Sequence, residues 1–345
     1  MRTAGLISPC NKRNLYLLSK REYTNGRFII DKLSSPNLTS IALIMKNTLL
    51  YIVTVLIWGS TWLAIEFQLG DVDVPASVAY RFMISAVLMW GYCLWAKVPM
   101  TFSARNHFFI LVLAMFNFSI NYAVIYSSQQ YLSSAMASIA FSTMLLMNIV
   151  NTRIFFGTKI TAKTYIGALL GIFGVVALFW DDLSIVVEGS TSAWGLTLAI
   201  SAAMLASLGN MTSVRNSRAK MNIFAVNAWG MLYGAIILSA SVLLSDAQFG
   251  FSMQSSYIAS LLYLAIFGTV IAFASYYVLL NDMGPEKASY VIVLFPVVAV
   301  ILSSIFEDFK WTNNTFIGFA LVLLGNAIIL MPSNSLMRLS LKKPS

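Results

Sequence analysis

Two opposite charges stand in apolar surroundings. Glu66 lies near the end of an apolar block spanning 48–67, and Arg81 lies a little inside the next block, 77–96. A charge within a membrane-length helix is costly and is read first as functional. At 1.5 Å of rise per residue, both side chains fall ~3–8 Å below the same boundary, so they are expected to pair. Such a pair serves either as a proton- or solute-linked gate or as a structural contact, and each head group could instead snorkel to the interface. Glu66 is the carboxylate of the pair that could take up a proton.

A second group is neutral and polar. Asn117, Asn121, Tyr122 and Tyr126 follow one another along the third apolar block, and all but Asn117 fall close to one helical face. Phe273, Tyr276 and Tyr277 stand at related positions in the eighth block. Amides and phenols in lipid need partners, so they are expected to point inward. There they either wall a cavity for a small polar or amphipathic solute or bond helix to helix. Trp58, Ser60 and Thr61 in the first block, Asn148 and Asn151 in the fourth, and Asn210 in the sixth are further candidates. Trp58 sits mid-block, away from the interfacial belts where tryptophan is usual. The expected solute-binding set is Trp58, Asn121, Tyr122, Tyr126, Asn148, Asn210, Tyr276 and Tyr277. Trp62, Trp90 and Trp95 are read as packing or interface residues, and Pro296 as a kink or hinge in the ninth block.

Composition says what must hold these residues. Of 345 residues, 59% are hydrophobic and only 10% are charged, against about a quarter charged in soluble domains. The apolar residues arrive in blocks of about 20, the length that spans a bilayer core. Ten helices are predicted: 48–67, 77–96, 107–127, 133–151, 163–180, 193–213, 222–244, 257–280, 286–306 and 315–331. With the N-terminus in the cytoplasm, every Lys and Arg of the 22 except Arg81 and Lys310 falls on the cytoplasmic side. Asp71, Asp73, Asp181, Asp182, Glu188, Asp246, Glu307 and Asp308 fall outside. That separation supports a multi-pass protein of a bacterial-type inner (plasma) membrane with both termini cytoplasmic. Residues 1–47 carry eight basic residues and no membrane-length run. They are expected to be a disordered tail or to precede a start at Met45, with a lipid-binding basic arm as the alternative. Residues 332–345 form a second basic tail.

Other classes are excluded. The net charge of +9 is spread over loops and tails, a poor fit to nucleic acid. One histidine, His107, and two cysteines, Cys10 and Cys93, make neither a metal site nor a disulfide framework. No phosphate-binding loop, HExxH or Gly-x-Ser-x-Gly occurs. No cofactor or catalytic residue is expected, and the chain is not read as an enzyme.

The sequence repeats itself. IFFGTKITAKTYIGALLGIFGVVAL from Ile154 aligns with IFEDFKWTNNTFIGFALVLLGNAII from Ile305, an offset of 151 residues. This pairs Lys159 with Lys310, Thr161 with Thr312, Thr164 with Thr315, Gly167 with Gly318 and Gly174 with Gly325. The same offset pairs Tyr126 with Tyr277 and Ala137–Ser138 with Ala288–Ser289. The expected fold is therefore all-α, ten transmembrane helices in two five-helix halves, 48–180 and 193–331. Five is odd, so the halves insert in opposite senses, which places a solute site near the midplane between them.

The order and duplication of these elements resemble the EamA family of the drug/metabolite transporter superfamily. The matching stretches are IWGSTWLAI (57–65), YRF (80–82), YLSSAMAS (131–138), MGPEKAS (283–289) and the hairpin 153–178 with its repeat. Gly209 and Asn210 depart from the family pattern, standing near an expected aromatic position. The resemblance implies a gradient-driven carrier of amino acids, other metabolites or toxic compounds, with a proton as coupling ion and export favoured. A sensor of the same fold that binds without transport is the alternative. The expected partners are a small-molecule solute and the lipid bilayer, with a homodimer left open.

Overall fold

A computed structural model describes residues 38–157, 159, 161–180, 191–283, 288 and 290–330. Expectations for residues 1–37 and 331–345 and for Asp181, Asp182, Glu188, Glu286, Lys287 and Ser289 lie outside the described residues; residues 43–47, expected in the N-terminal tail, are instead helical. The chain divides into two units, Met1–Ala42 and Leu43–Ser345, and the apolar helices of membrane character belong to the second.

The protein is all-helical, with no strand among the described residues. Seven helices are long and apolar enough to cross a membrane by length and composition: α1 (Leu43–Glu66), α2 (Val74–Trp95), α3 (Ala104–Gln129), α4 (Ser134–Phe156), α6 (Thr191–Arg218), α7 (Ile223–Leu244) and α8 (Ser255–Leu279). Three more are shorter and apolar: α5 (Ala162–Leu178), α9 (Val291–Phe306) and α10 (Asn313–Ile329). Large apolar side chains face outward along them, such as Ile166, Leu169 and Phe173 on α5 and Phe316, Ile317 and Leu324 on α10. In water such faces would collapse together, whereas a bilayer solvates them. This is an integral membrane protein.

Local chemistry sets the helix ends. Ser133 Oγ accepts from Met136 N at 3.4 Å and opens α4, and Asn222 Oδ1 accepts from Phe224 N at 3.0 Å and Ala225 N at 3.3 Å to open α7. α4 runs to Phe156, beyond the expected 151, and stops where Gly157 adopts φ 70°. α6 likewise runs to Arg218 instead of 213. Its final charges stay within reach of aromatic faces: the Arg215 guanidinium lies 3.7 Å from the Phe109 ring centroid and that of Arg218 lies 4.1 Å from Phe156. α9 continues through Pro296.

Helices five apart in order pack together: α5 on α10, α2 on α7 and α4 on α9. The α5–α10 contact is the closest. Gly167 faces Gly325, and Gly174 faces Gly318, so that a Cβ on any of the four would come within 2.5–2.8 Å of the opposite carbonyl. The N-terminal glycine of each helix meets the C-terminal glycine of the other, so α5 and α10 run antiparallel. Glycine allows backbones this close where lipid gives helices little hydrophobic reason to associate.

Two departures from α geometry are not legible in the apolar pattern. Met115–Ser119 within α3 and Ile266–Ile271 within α8 are π-helical. Ile266 follows Met115 by 151 residues, the offset of the sequence repeat. α4 is interrupted by a turn at Ser142–Thr143.

Candidate functional site

A cavity of about 450 Å³ lies among α1, α2, α3, α4, α6, α7, α8 and α9. α1 contributes Trp58, Thr61, Trp62 and Ile65, a helical spacing that keeps all four on one face. At one end of the cavity Trp62, Ile65 and Ile125 are buried, and at the other Thr152, Ser213 and Val214 are partly exposed. The cavity therefore opens toward the end of the bundle that carries Arg153, Arg215 and Arg218, here the basic end, and is closed toward Glu66 and Glu307, the acidic end.

The walls are aromatic. Trp58 packs edge-on to Phe273 at 5.5 Å and tilts against Tyr276 at 5.0 Å. Trp62 stacks on Phe295 at 5.8 Å and packs edge-on to Phe141 at 5.4 Å. Tyr277 donates to Asn227 Oδ1 at 3.1 Å, which fixes its ring at the wall.

The polar lining includes one residue from the first π segment, Asn117. It lines the cavity together with Asn121, four residues on, although the sequence reading sets it apart from the polar face. Asn117 Nδ2 donates to Asn210 Oδ1 at 3.4 Å, and Asn210 Nδ2 to Asn148 Oδ1 at 3.2 Å. One amide chain thus joins α3, α6 and α4. Gly209 explains itself here, since a Cβ on it would overlap the Asn117 carboxamide. Asn121 also lines the cavity, but its Nδ2 donates to Ala202 O at 2.5 Å and binds α3 to α6.

The second π segment receives Arg81. Thr269 Oγ1 donates to Leu264 O five residues back, at 2.9 Å, and accepts Arg81 Nε at 3.1 Å. Arg81 Nη1 donates to Tyr126 OH at 3.2 Å, and the guanidinium lies 4.7 Å from the Tyr122 ring centroid. At Gly268 a Cβ would lie 3.5 Å from Nη2. Arg81 is 1% exposed and lines the cavity.

Of the residues singled out from sequence, Trp58, Asn121, Tyr122, Asn148, Asn210, Tyr276 and Tyr277 line the cavity. Tyr126 does not; it is fully buried behind it, holding Arg81. The expected Glu66–Arg81 pair does not form. Arg81 reaches across to α8, and Glu66 is exposed at the last residue of α1. Depth counted from helix ends places the two at one level but says nothing of which neighbour each faces. The ion pair among the described residues is Lys46 Nζ to Asp282 Oδ2, 2.7 Å.

Sequence reasoning misses Glu307, placing it only as a charge outside. Its Oε2 accepts Ser134 N at 3.1 Å and its Oε1 accepts Ser134 Oγ at 2.5 Å, capping α4 from the end of α9. Ser303 Oγ also donates to it. Gln129 Nε2 ties the same corner to α1 through Trp62 O at 3.0 Å. Nearby, Asp71 Oδ2 accepts Ser252 Oγ at 2.9 Å and Gln254 Nε2 at 2.8 Å, and Asp73 Oδ2 accepts Gln248 N at 2.7 Å. These contacts join α9 to α4 and the connection before α2 to the connection before α8. A Ser-initiated helix opposite a stray carboxylate is the signal that could have found them.

A membrane bundle with an internal, aromatic, amide-lined cavity is built to hold a solute. The sequence profile described as the EamA-like transporter family matches residues 45–180 and 193–331. The chain belongs to the EamA-like transporter family. Among its relatives is the "Uncharacterized transporter in trpA 3'region" of Buchnera aphidicola subsp. Schlechtendalia chinensis, 24% identical over 77% of this chain and 85% of that one. The "Uncharacterized inner membrane transporter YedA" of Escherichia coli strain K12 is 26% identical over 81% of this chain and 90% of the relative. A crystal structure shares the fold with a TM-score of 0.61 at 18% identity, covering 83% of this chain and 97% of its own. This EamA-like chain is thus a membrane transporter by family.

Proposed function

We propose that the chain is a secondary active carrier that moves a small metabolite, amino-acid-like or amphipathic, across a bacterial-type inner membrane by alternating access, with export as its direction. The observation that carries this reading is the asymmetry of the cavity: Thr152, Ser213 and Val214 toward its basic end are partly exposed, while Trp62, Ile65 and Ile125 toward its acidic end are buried. With the basic end in the cytoplasm, this arrangement is an inward-facing state ready to load.

An inverted repeat of two five-helix halves supports the second state. The contact of Gly167 with Gly325 exchanges with that of Gly318 with Gly174 under the 151-residue offset, while the helices themselves run antiparallel. The two π segments obey the same offset. Halves related in this way reach the outward-facing state by exchanging their conformations. All ten helices then cross the membrane, and both termini are cytoplasmic.

A proton gradient drives the cycle in this reading. Glu66 interacts electrostatically with Glu307 at the acidic end; protonation of Glu66 relieves that like-charge repulsion, whereas protonation of Glu307 removes the charged acceptor that holds Ser134 and loosens the α9–α4 contact. The test is untargeted metabolite profiling of spent medium from cells overproducing the wild type, Glu66→Gln or no protein. Enrichment of a small solute set with wild type alone supports export and the role of Glu66. Medium identical to the control, with protein confirmed in the membrane, contradicts constitutive export.

A further inference from the structure

We propose that Arg81 is the seat of an anionic head group, and that the cavity accepts organic monoanions, a carboxylate on an aromatic or aliphatic body, in preference to neutral, zwitterionic or cationic analogues. This rests on the transporter reading above and names the substrate class of the same cavity.

Among the described residues, Arg81 is the only charged side chain lining the cavity. It is 1% exposed, and a buried cation is stable only when a counter-charge or strong acceptors compensate its lost hydration. Its partners are neutral: the Thr269 and Tyr126 hydroxyls. No described carboxylate reaches it. A guanidinium carries five N–H donors in a planar fork, so these two bonds leave both N–H groups of Nη2 and one of Nη1. Gly268, whose missing Cβ would meet the Thr61 methyl, lies beside Nη2. Two parallel N–H groups on one edge match a carboxylate bidentately.

The fork is also pre-aimed. Thr269 and Tyr126 hold it from two helices, and Tyr122 lies against its face. Little side-chain freedom is left to lose when an anion docks. The remaining walls, with Trp58, Phe273 and Phe295 in them, suit an apolar body. No described carboxylate lines the cavity to receive an ammonium, which sets a monoanion above a zwitterion. The basic rim at the open end, with Arg215 and Arg218, raises the local concentration of anions at the mouth.

The test is binding to the full chain in neutral-lipid nanodiscs, by calorimetric titration with isosteric probes. These are phenylacetate, phenylacetamide, phenylalanine and 2-phenylethylammonium, with benzoate, 3-phenylpropionate and butyrate to vary the body. The expected result is that at least one carboxylate binds and that its amide isostere binds roughly tenfold or more weakly, the effect of losing a charge-assisted hydrogen bond. R81Q should bring acid and amide to equal affinity, and R81K should keep the preference for the acid. Should R81Q fail to fold, the wild-type charge series and R81K decide alone. The proposal is overturned if the amide or the ammonium matches the carboxylate, if no carboxylate binds, or if R81Q retains the preference. Flux into liposomes is read separately. Anion binding without flux contradicts the transport reading and spares the seat, whereas flux without anion preference does the reverse.

Discussion

Arg81 on α2 and Thr269 on α8, 188 residues apart, are joined by a 3.1 Å hydrogen bond inside the bundle. The bond exists because α8 is π-helical there. Thr269 donates to a carbonyl five residues back, which leaves its oxygen to accept from Arg81. A regular α-helix would turn that hydroxyl elsewhere.

Thr269→Val keeps the side-chain volume and removes the acceptor. The Arg81 head then loses one of its two fixed partners. Expected are a KM for flux several-fold higher and a stability loss of about 1–3 kcal/mol. KM alongside the thermal midpoint checks both, and an unchanged KM contradicts the positioning role of Thr269.

Gly209→Ala introduces a methyl into the space of the Asn117 carboxamide. The Asn117–Asn210–Asn148 chain must break or shift, at a cost of about 1–3 kcal/mol. Flux should fall while the protein still inserts, which membrane fractionation and a transport assay together would show.

The α5–α10 contact gives a paired prediction. Gly318→Val collides with the backbone at Gly174 and Leu178, whereas Gly171 has open space where its Cβ would go. Gly318→Val should lower the thermal midpoint sharply or prevent accumulation. Gly171→Ala should stay within about 0.5 kcal/mol of wild type. Equal effects would contradict the contact.

Glu307→Gln weakens the α4 cap by removing a charge-assisted acceptor. A single reporter, Ile65→Cys, is buried beneath that corner in the closed state. Thiol labelling from the acidic side should be faster in the Glu307→Gln background. With Cys10 replaced by serine in both backgrounds, the native Cys93, which is buried, serves as the internal control.

Much of the scaffold is legible in the sequence because apolar blocks of membrane length admit few structures other than helices. Mid-helix polar and aromatic residues, such as Asn210 and Tyr276, draw attention for the same reason: lipid gives them no partner. The rest depends on direction, which periodicity does not carry through a π turn. Asn117 is set apart from the polar face in the sequence reading, yet it lies in a π segment and lines the cavity beside Asn121. Tyr126 shares the face of Tyr122 but ends behind the wall, where Arg81 occupies its hydroxyl. Depth alone matches Arg81 to Glu66. Glu307 stays hidden because a cap between helices 173 residues apart leaves no local pattern.

The most direct test of a carrier working through this cavity is counterflow. Proteoliposomes containing the purified chain would be preloaded with unlabelled solute, chosen from those enriched in the medium, then diluted into a trace of the labelled form. The account predicts a transient, saturable overshoot of label inside the vesicles, absent from empty liposomes and reduced by Gly209→Ala. Label that only equilibrates, or that does not enter at all with the protein intact, would contradict it.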